Sequence, residues 1–482
     1  MSNNGLKKNT IYSVIKTCSA IVFPLITFPY ISRVLLAENV GKINFGLSIV
    51  SYFTLIAGLG ISTYAIRECA AVKNDRKKLG NIASQIYSIN IITTIVAYGL
   101  LLCTLLFYNK MENYRLLITI QSLSIVFTTI GADWLNTATE DFGYITIRTV
   151  LFQLISLILM FAFVHEPKDY YKYAVISLVS SSGANLVNVW YRRKYCKLRF
   201  TLEINWKKHF TPIVYMFVMI LAQTILNSVD TTMLGLIHGD LAVGIYSTAT
   251  KISNIISQLG GAIMWVVIPR LSIYFAEKNY SEINNMLKTV LVFLTTLGFP
   301  LALGTIFVAD DIITIIAGKG YEPSANVLRV LMIGFLISQF SGFLGNAILL
   351  PSKQEKYYML VCVVSALVNI VTNYIFIPKY GAVAAAGTTV LSTVVVVVLL
   401  LFKVDNNIKI SRIRDVFVPQ VVGTLLIVGI CMFFRNINNI WIRIFLQVGL
   451  SVVGYGMVQL LMHNMLVYDL YTSFISKIKK KM

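Results

Sequence analysis

Residues 11–36 read IYSVIKTCSAIVFPLITFPYISRVLL. Lys16 and Arg33 are the only charges in this run. A helix needs about 20 mainly apolar residues to cross the hydrocarbon core of a bilayer, and the run meets that length. Lys7 and Lys8 precede it. It is too long for the apolar part of a signal peptide and has no small-residue cleavage site after it, so it is expected to remain as an anchor.

Outward from this run the pattern repeats. Apolar stretches follow at 43–66, 82–107, 114–136, 144–164, 170–191, 210–237, 243–268, 287–309, 324–350, 357–377, 381–402, 415–434 and 441–463. The expected fold class is an all-α polytopic membrane protein of about fourteen transmembrane helices. Composition agrees: 57% hydrophobic, 13% charged, mean hydropathy +0.74. Soluble domains carry about 25% charged residues, and a charge at the bilayer centre costs about 2.5 kcal/mol or more.

The net charge of +20 would suggest a nucleic-acid partner in a soluble protein. Here the charge lies in short loops between apolar runs, so no nucleic acid is expected. Of the 41 Lys and Arg residues, 28 fall on one side of the predicted topology and 9 on the other. By the positive-inside rule both termini are cytoplasmic, in a bacterial inner membrane. The six cysteines, Cys18, Cys69, Cys103, Cys196, Cys362 and Cys431, show neither a CxxC pair nor a zinc spacing.

The chain carries a weak internal repeat. Val40-Gly41 recurs as Val243-Gly244, and Arg67 as Arg270. Two six-helix lobes are expected, 1–200 and 201–403, with the basic segment 192–208 at their boundary. Residues 404–482 would add two helices and a basic tail. An even helix number per lobe makes the repeats parallel, as in transporters that bind substrate between two halves.

Candidate residues follow from that architecture. Pro24 and Pro29 should bend or break the first helix, as a hinge or as a static kink. Gly298, Pro300 and Gly304 form a second candidate bend. Lys251 and Asp230 fall at similar depths near the midplane. Lys251 either binds an anionic headgroup such as a pyrophosphate or pairs with Asp230, which would act as counter-ion or coupling residue. Arg33, Arg329 and Lys16 add embedded cations, either substrate-binding or snorkelling to the interface. Basic groups exceed embedded acids, which favours an anionic cargo. Asp133, Glu140 and Asp141, with Arg67 and Arg148, suggest an inner gate of ion pairs or a set of capping residues.

No P-loop, HExxH or G-x-S-x-G motif is present. The expectation is a transporter without a cofactor, driven by H+ or Na+ coupling, by a partner or by the substrate gradient. A membrane polymerase or glycosyltransferase would need a sizeable outer loop, and the largest here is about 310–323. A scaffold would need neither embedded charges nor broken helices.

The segment Phe23-Pro24-Leu25-Ile26-Thr27-Phe28-Pro29-Tyr30-Ile31-Ser32-Arg33, followed by Gly41-Lys42-Ile43-Asn44-Phe45, resembles the opening of Wzx-type polysaccharide repeat-unit flippases. So do Gly58-Leu59-Gly60-Ile61 with Arg67-Glu68, Asp133-Trp134 with Tyr144-Ile145-Thr146-Ile147-Arg148, and Asp230-Thr231-Thr232-Met233-Leu234-Gly235. The resemblance implies the MOP superfamily, with MATE antiporters and lipid II flippases, and two lobes around a central cavity. It implies a cargo of undecaprenyl-pyrophosphate-linked oligosaccharide, moved to the outer leaflet by alternating access for capsule, exopolysaccharide or O-antigen synthesis. It further implies a substrate cation at Lys251, a lipid-tail groove at the last two helices, contact with membrane lipids, and polymerase and chain-length machinery as partners of a functional monomer. The rival expectation is an ion-coupled MATE-like exporter of small molecules, which would favour acidic rather than basic cavity residues.

Overall fold

The computed structural model describes residues 3–261, 264–410, 413–468 and 472. Every regular element among them is helical. Among the described residues, ten helices are long and apolar enough to cross a membrane. Two of these contain an internal break. The Asn3–Gly58 helix is interrupted at Leu36 (φ 64°, ψ 167°), and the Glu355–Leu401 helix at Gly381 (φ 57°, ψ −133°). Leu36 closes the first apolar run, so this break separates the first two expected spans, and Pro24 and Pro29 lie before it in helical backbone. Gly298, Pro300 and Gly304 likewise sit inside one helix, Tyr280–Phe307.

Helix starts follow local chemistry. Asp75 caps Arg76–Phe107 by accepting the Lys77 and Lys78 N–H groups, and Asn439 caps Ile440–Leu461 through Trp441 and Ile442. These side chains satisfy donors that a helix cannot satisfy internally. The stretch expected as the largest outer loop instead folds in part as the Ala309–Ile316 helix.

The chain divides into two compact units, Met1–Gly244 and Ile245–Met482. In the first, Ile61, Tyr64, Leu79, Ile86, Trp134, Leu135 and Ile213 pack into one core together with Cys69 and Cys196. In the second, Leu271, Ile283, Leu287, Val290, Phe343 and Leu400 do the same. Many large apolar side chains face outward: Ile158 is 68% exposed, Phe445 74% and Leu461 78%. Apolar patches of that extent have no place in water and fit a lipid environment.

Candidate functional site

In the first unit the expected ion-pair cluster is partly assembled. Arg148 Nη2 reaches Asp133 Oδ1 at 2.6 Å, and the Arg148 side chain is only 5% exposed. The same arginine lies over the Tyr144 ring. Asn136 donates to both Asp133 and Asn188, and Asn188 donates to the Gly131 carbonyl, tying Trp134–Ala138 to Ala184–Tyr191. Glu140 takes a different partner, Lys73, at 2.8 Å. Asp141 accepts the hydroxyls of Tyr191 and Tyr195, caps the Phe142–Phe163 helix through Tyr144, and lies 3.7 Å from Lys194. Burial works to raise the Asp141 carboxyl, but those hydrogen bonds outweigh it and hold it below the ordinary range. Arg67 stands apart: it meets Glu68 at 3.5 Å and covers Tyr64.

The embedded cations are placed unevenly. Lys16 and Arg33 are exposed, and Arg33 donates to the Pro29 carbonyl at 2.8 Å. Asp230, on Trp206–His238 of the first unit, is 1% exposed. Around this part of the helix, hydroxyls interlock with 37–58. The Ser51 and Ser228 hydroxyls lie 2.9 Å apart, Thr232 donates to Ser48 (2.9 Å), and Tyr52 lies 3.0 Å from Thr232. Lys251 is half-buried on Asp240–Gly261 and belongs to the second unit. Arg329 engages Asp310, Asn326 and the Ile306 carbonyl.

The second unit holds a cavity of about 620 Å³ between Tyr280–Phe307, Ile413–Phe433 and Ile440–Leu461. Leu297, Pro300, Leu301, Ile427, Val448 and Val452 give it an apolar wall. The short Ala309–Ile316 helix contributes Ile312, and the preceding Val308 also lines it. This helix is pinned twice: Asp310 binds Arg329, and Asp311 receives Nε and Nη2 of Arg443 in a two-pronged contact. Such forks fix orientation as well as distance. At the other end, the Tyr455 hydroxyl lies within hydrogen-bond distance of Gln420 Oε1 and of the Thr296 carbonyl, while Asn464 donates to Gln459 and Thr296.

Sequence reasoning missed Lys73, Tyr191 and Tyr195 as partners, because nothing local announces a contact across 50 or more residues. It also missed a signal that was present. Gln447, Ser451, Tyr455 and Gln459 recur every fourth residue and are all buried. That spacing marks one polar stripe on an otherwise apolar helix.

Comparison with known proteins extends these observations. Residues 6–275, more than half of the chain, match the family described as polysaccharide biosynthesis protein, and residues 216–375 match the MatE family. A protein of Escherichia coli K12 named "Putative O-antigen transporter" is 24% identical over 84% of this chain and 97% of its own length. The capsular polysaccharide biosynthesis protein CapF of Staphylococcus aureus is 24% identical over 73% of this chain and 87% of its own. Among solved structures, the lipid II flippase MurJ in an inward closed conformation superposes with a TM-score of 0.74 at 16% identity, covering 95% of this chain and all of that one. An inward-facing multidrug resistance MATE transporter gives 0.58 at 14% identity, over 82% of this chain and 93% of its own. The fold is thus that of MurJ and the MATE transporters.

Proposed function

The chain belongs to the polysaccharide biosynthesis protein family, and on that premise we propose that it is a flippase. Its cargo is an undecaprenyl-pyrophosphate-linked oligosaccharide repeat unit, carried from the cytoplasmic to the outer leaflet of the inner membrane for capsule, exopolysaccharide or O-antigen synthesis.

The observation that carries this reading is the apolar cavity of about 620 Å³ built on the two C-terminal helices. A small-molecule exporter has no need of it. A lipid-linked cargo does, because its headgroup must enter a polar route while its tail stays in apolar surroundings. Lipid tails are as apolar as the groove, so the groove gains little from the hydrophobic effect. It selects by shape and keeps the tail beside the protein.

The rest of the reading follows. Fourteen spans result when each broken helix counts as two, when the helical stretch 170–191 is included, and when Asp240–Gly261 and Met264–Ala276 are taken together as one span. The lobes are 1–200 and 201–403, both termini are cytoplasmic, and the protein acts as a monomer by alternating access. Lys251 and Arg33 bind pyrophosphate or an acidic sugar. Asp230 is the counter-ion, or the site that couples transport to H+ or Na+. The pathway's polymerase and chain-length proteins receive the product.

The test is leaflet accessibility of lipid-linked repeat units in spheroplasts, wild type against depleted cells. Accumulation in the inner leaflet, rescued by wild type and not by Lys251→Ala, supports the flippase and its cation. Rescue by both retains the flippase and removes Lys251. No accumulation sinks the reading in favour of small-molecule export.

A further inference from the structure

The first unit contains a second cavity, of about 440 Å³, between 47–62, the 220–228 stretch and Ser124. Its wall differs in kind from the groove. Ser51, Thr54, Ser62, Thr224, Asn227 and Ser228 supply neutral hydroxyl and amide groups, and no charged side chain lines it. The hydroxyls of Ser51 and Thr54 donate to the carbonyls of Ser48 and Val50, so their oxygens remain as acceptors. Among the described residues the side chains of Ser62, Thr224 and Asn227 make no hydrogen bond, which leaves two hydroxyls and a whole amide available. Leu47, Val50, Leu55 and Ile220 alternate with them as apolar wall.

This composition discriminates between ligands. A pyrophosphate or a uronic acid would enter without a counter-charge, and desolvating it there would be costly. A lipid chain would bury free hydroxyl and amide groups without partners, also at a cost. An uncharged sugar ring meets both demands. Its hydroxyls donate and accept, an amide can hold two neighbouring hydroxyls, and its C–H faces lie against aliphatic side chains. The volume lies within the range of about 300–1,000 Å³ usual for small-ligand sites.

We propose that this cavity is a subsite for a neutral sugar of the repeat unit, with Asn227 and Thr224 as its reading groups. The proposal rests on the flippase reading and adds the position and chemistry of a glycan contact separate from the cations.

The experiment uses the full chain in lipid nanodiscs and two probes: lipid-linked repeat units extracted from cells depleted of the protein, and undecaprenyl pyrophosphate bearing no sugar. Wild type should bind the glycan-bearing probe more tightly. Asn227→Leu and Thr224→Val should each weaken that probe by about tenfold, the scale of one lost hydrogen bond that strands a sugar hydroxyl, and leave the sugar-free probe unchanged. Thr224→Ser should retain wild-type binding. Equal weakening of both probes, or none of either, overturns the subsite while leaving the flippase intact. Failure of the wild-type chain to bind either probe overturns the flippase reading itself, and the subsite with it.

Discussion

Gly41 and Gly244 sit in two helical turns that press against each other. A Cβ on Gly41 would stand 1.8 Å from the Asp240 carbonyl oxygen, and one on Gly244 would stand 1.9 Å from the Ala37 carbonyl oxygen. These are the two positions that the sequence repeat equates. Each turn presents its backbone where the other lacks a side chain, and Tyr114 fastens Asp240 at 2.6 Å beside the contact. Because both obstacles are backbone, neither turn can yield by a rotamer change. Gly41→Ala and Gly244→Ala should each destabilise the chain by about 1–3 kcal/mol, as overpacking does. They should also open the contact: a cysteine placed at Ala37, now 5% exposed, should react several-fold faster with an impermeant maleimide. Unchanged labelling in both variants would show that the turns tolerate a methyl.

The Asp133–Arg148 pair is a buried charge with one principal partner. Asp133→Ala should cost about 3 kcal/mol in thermal unfolding, because it strands a guanidinium away from water. Replacing both residues with apolar side chains of similar size should recover most of that. The Lys73–Glu140 pair is about one-third exposed on each side, so Glu140→Gln should cost less than about 1 kcal/mol. Equal losses from the two single variants would contradict this ranking.

The apolar groove offers a separation of stability from transport. A Cβ on Gly456 meets nothing within 4 Å, and Gly456 lines the cavity. Gly456→Leu fills the groove from a helix interior where glycine costs up to about 1 kcal/mol relative to alanine. The variant should melt no lower than wild type, yet leave lipid-linked units on the inner leaflet. Full transport by a folded variant would remove the groove from the tail's path.

Acid should act at the 165–169 turn. Lys172 and the N–H groups of His165 and Glu166 hold the Asp169 carboxyl at about 2, against an ordinary 3.8. A depressed carboxyl stabilises the fold above its unfolded value and ceases to do so as pH falls through the folded one. Between about pH 4 and pH 2 the melting temperature of wild type should therefore fall more steeply than that of Asp169→Asn. Parallel curves would place the acid sensitivity elsewhere.

The sequence by itself determined that this chain is helical, apolar on its outside, broken into short-looped runs, and built for a membrane. Those properties need only the count of apolar residues per run and the positions of Lys and Arg, because the bilayer tests every segment independently. The family was legible for the same reason: Pro24, Arg33, Gly41, Asp133 and Arg148 keep their order along the chain. Only the tertiary structure decided which partner each charge took. It gave Glu140 to Lys73, Arg329 to Asp310 and Asp311 to Arg443, and it joined the first two spans through a single non-helical residue, Leu36. It also decided that polar residues spaced through apolar runs would gather into one hydroxyl-lined cavity while the last two helices enclosed an apolar one. A side chain's hydrogen-bond partner is set by helix rotation and crossing, and those are fixed by packing between segments far apart in sequence.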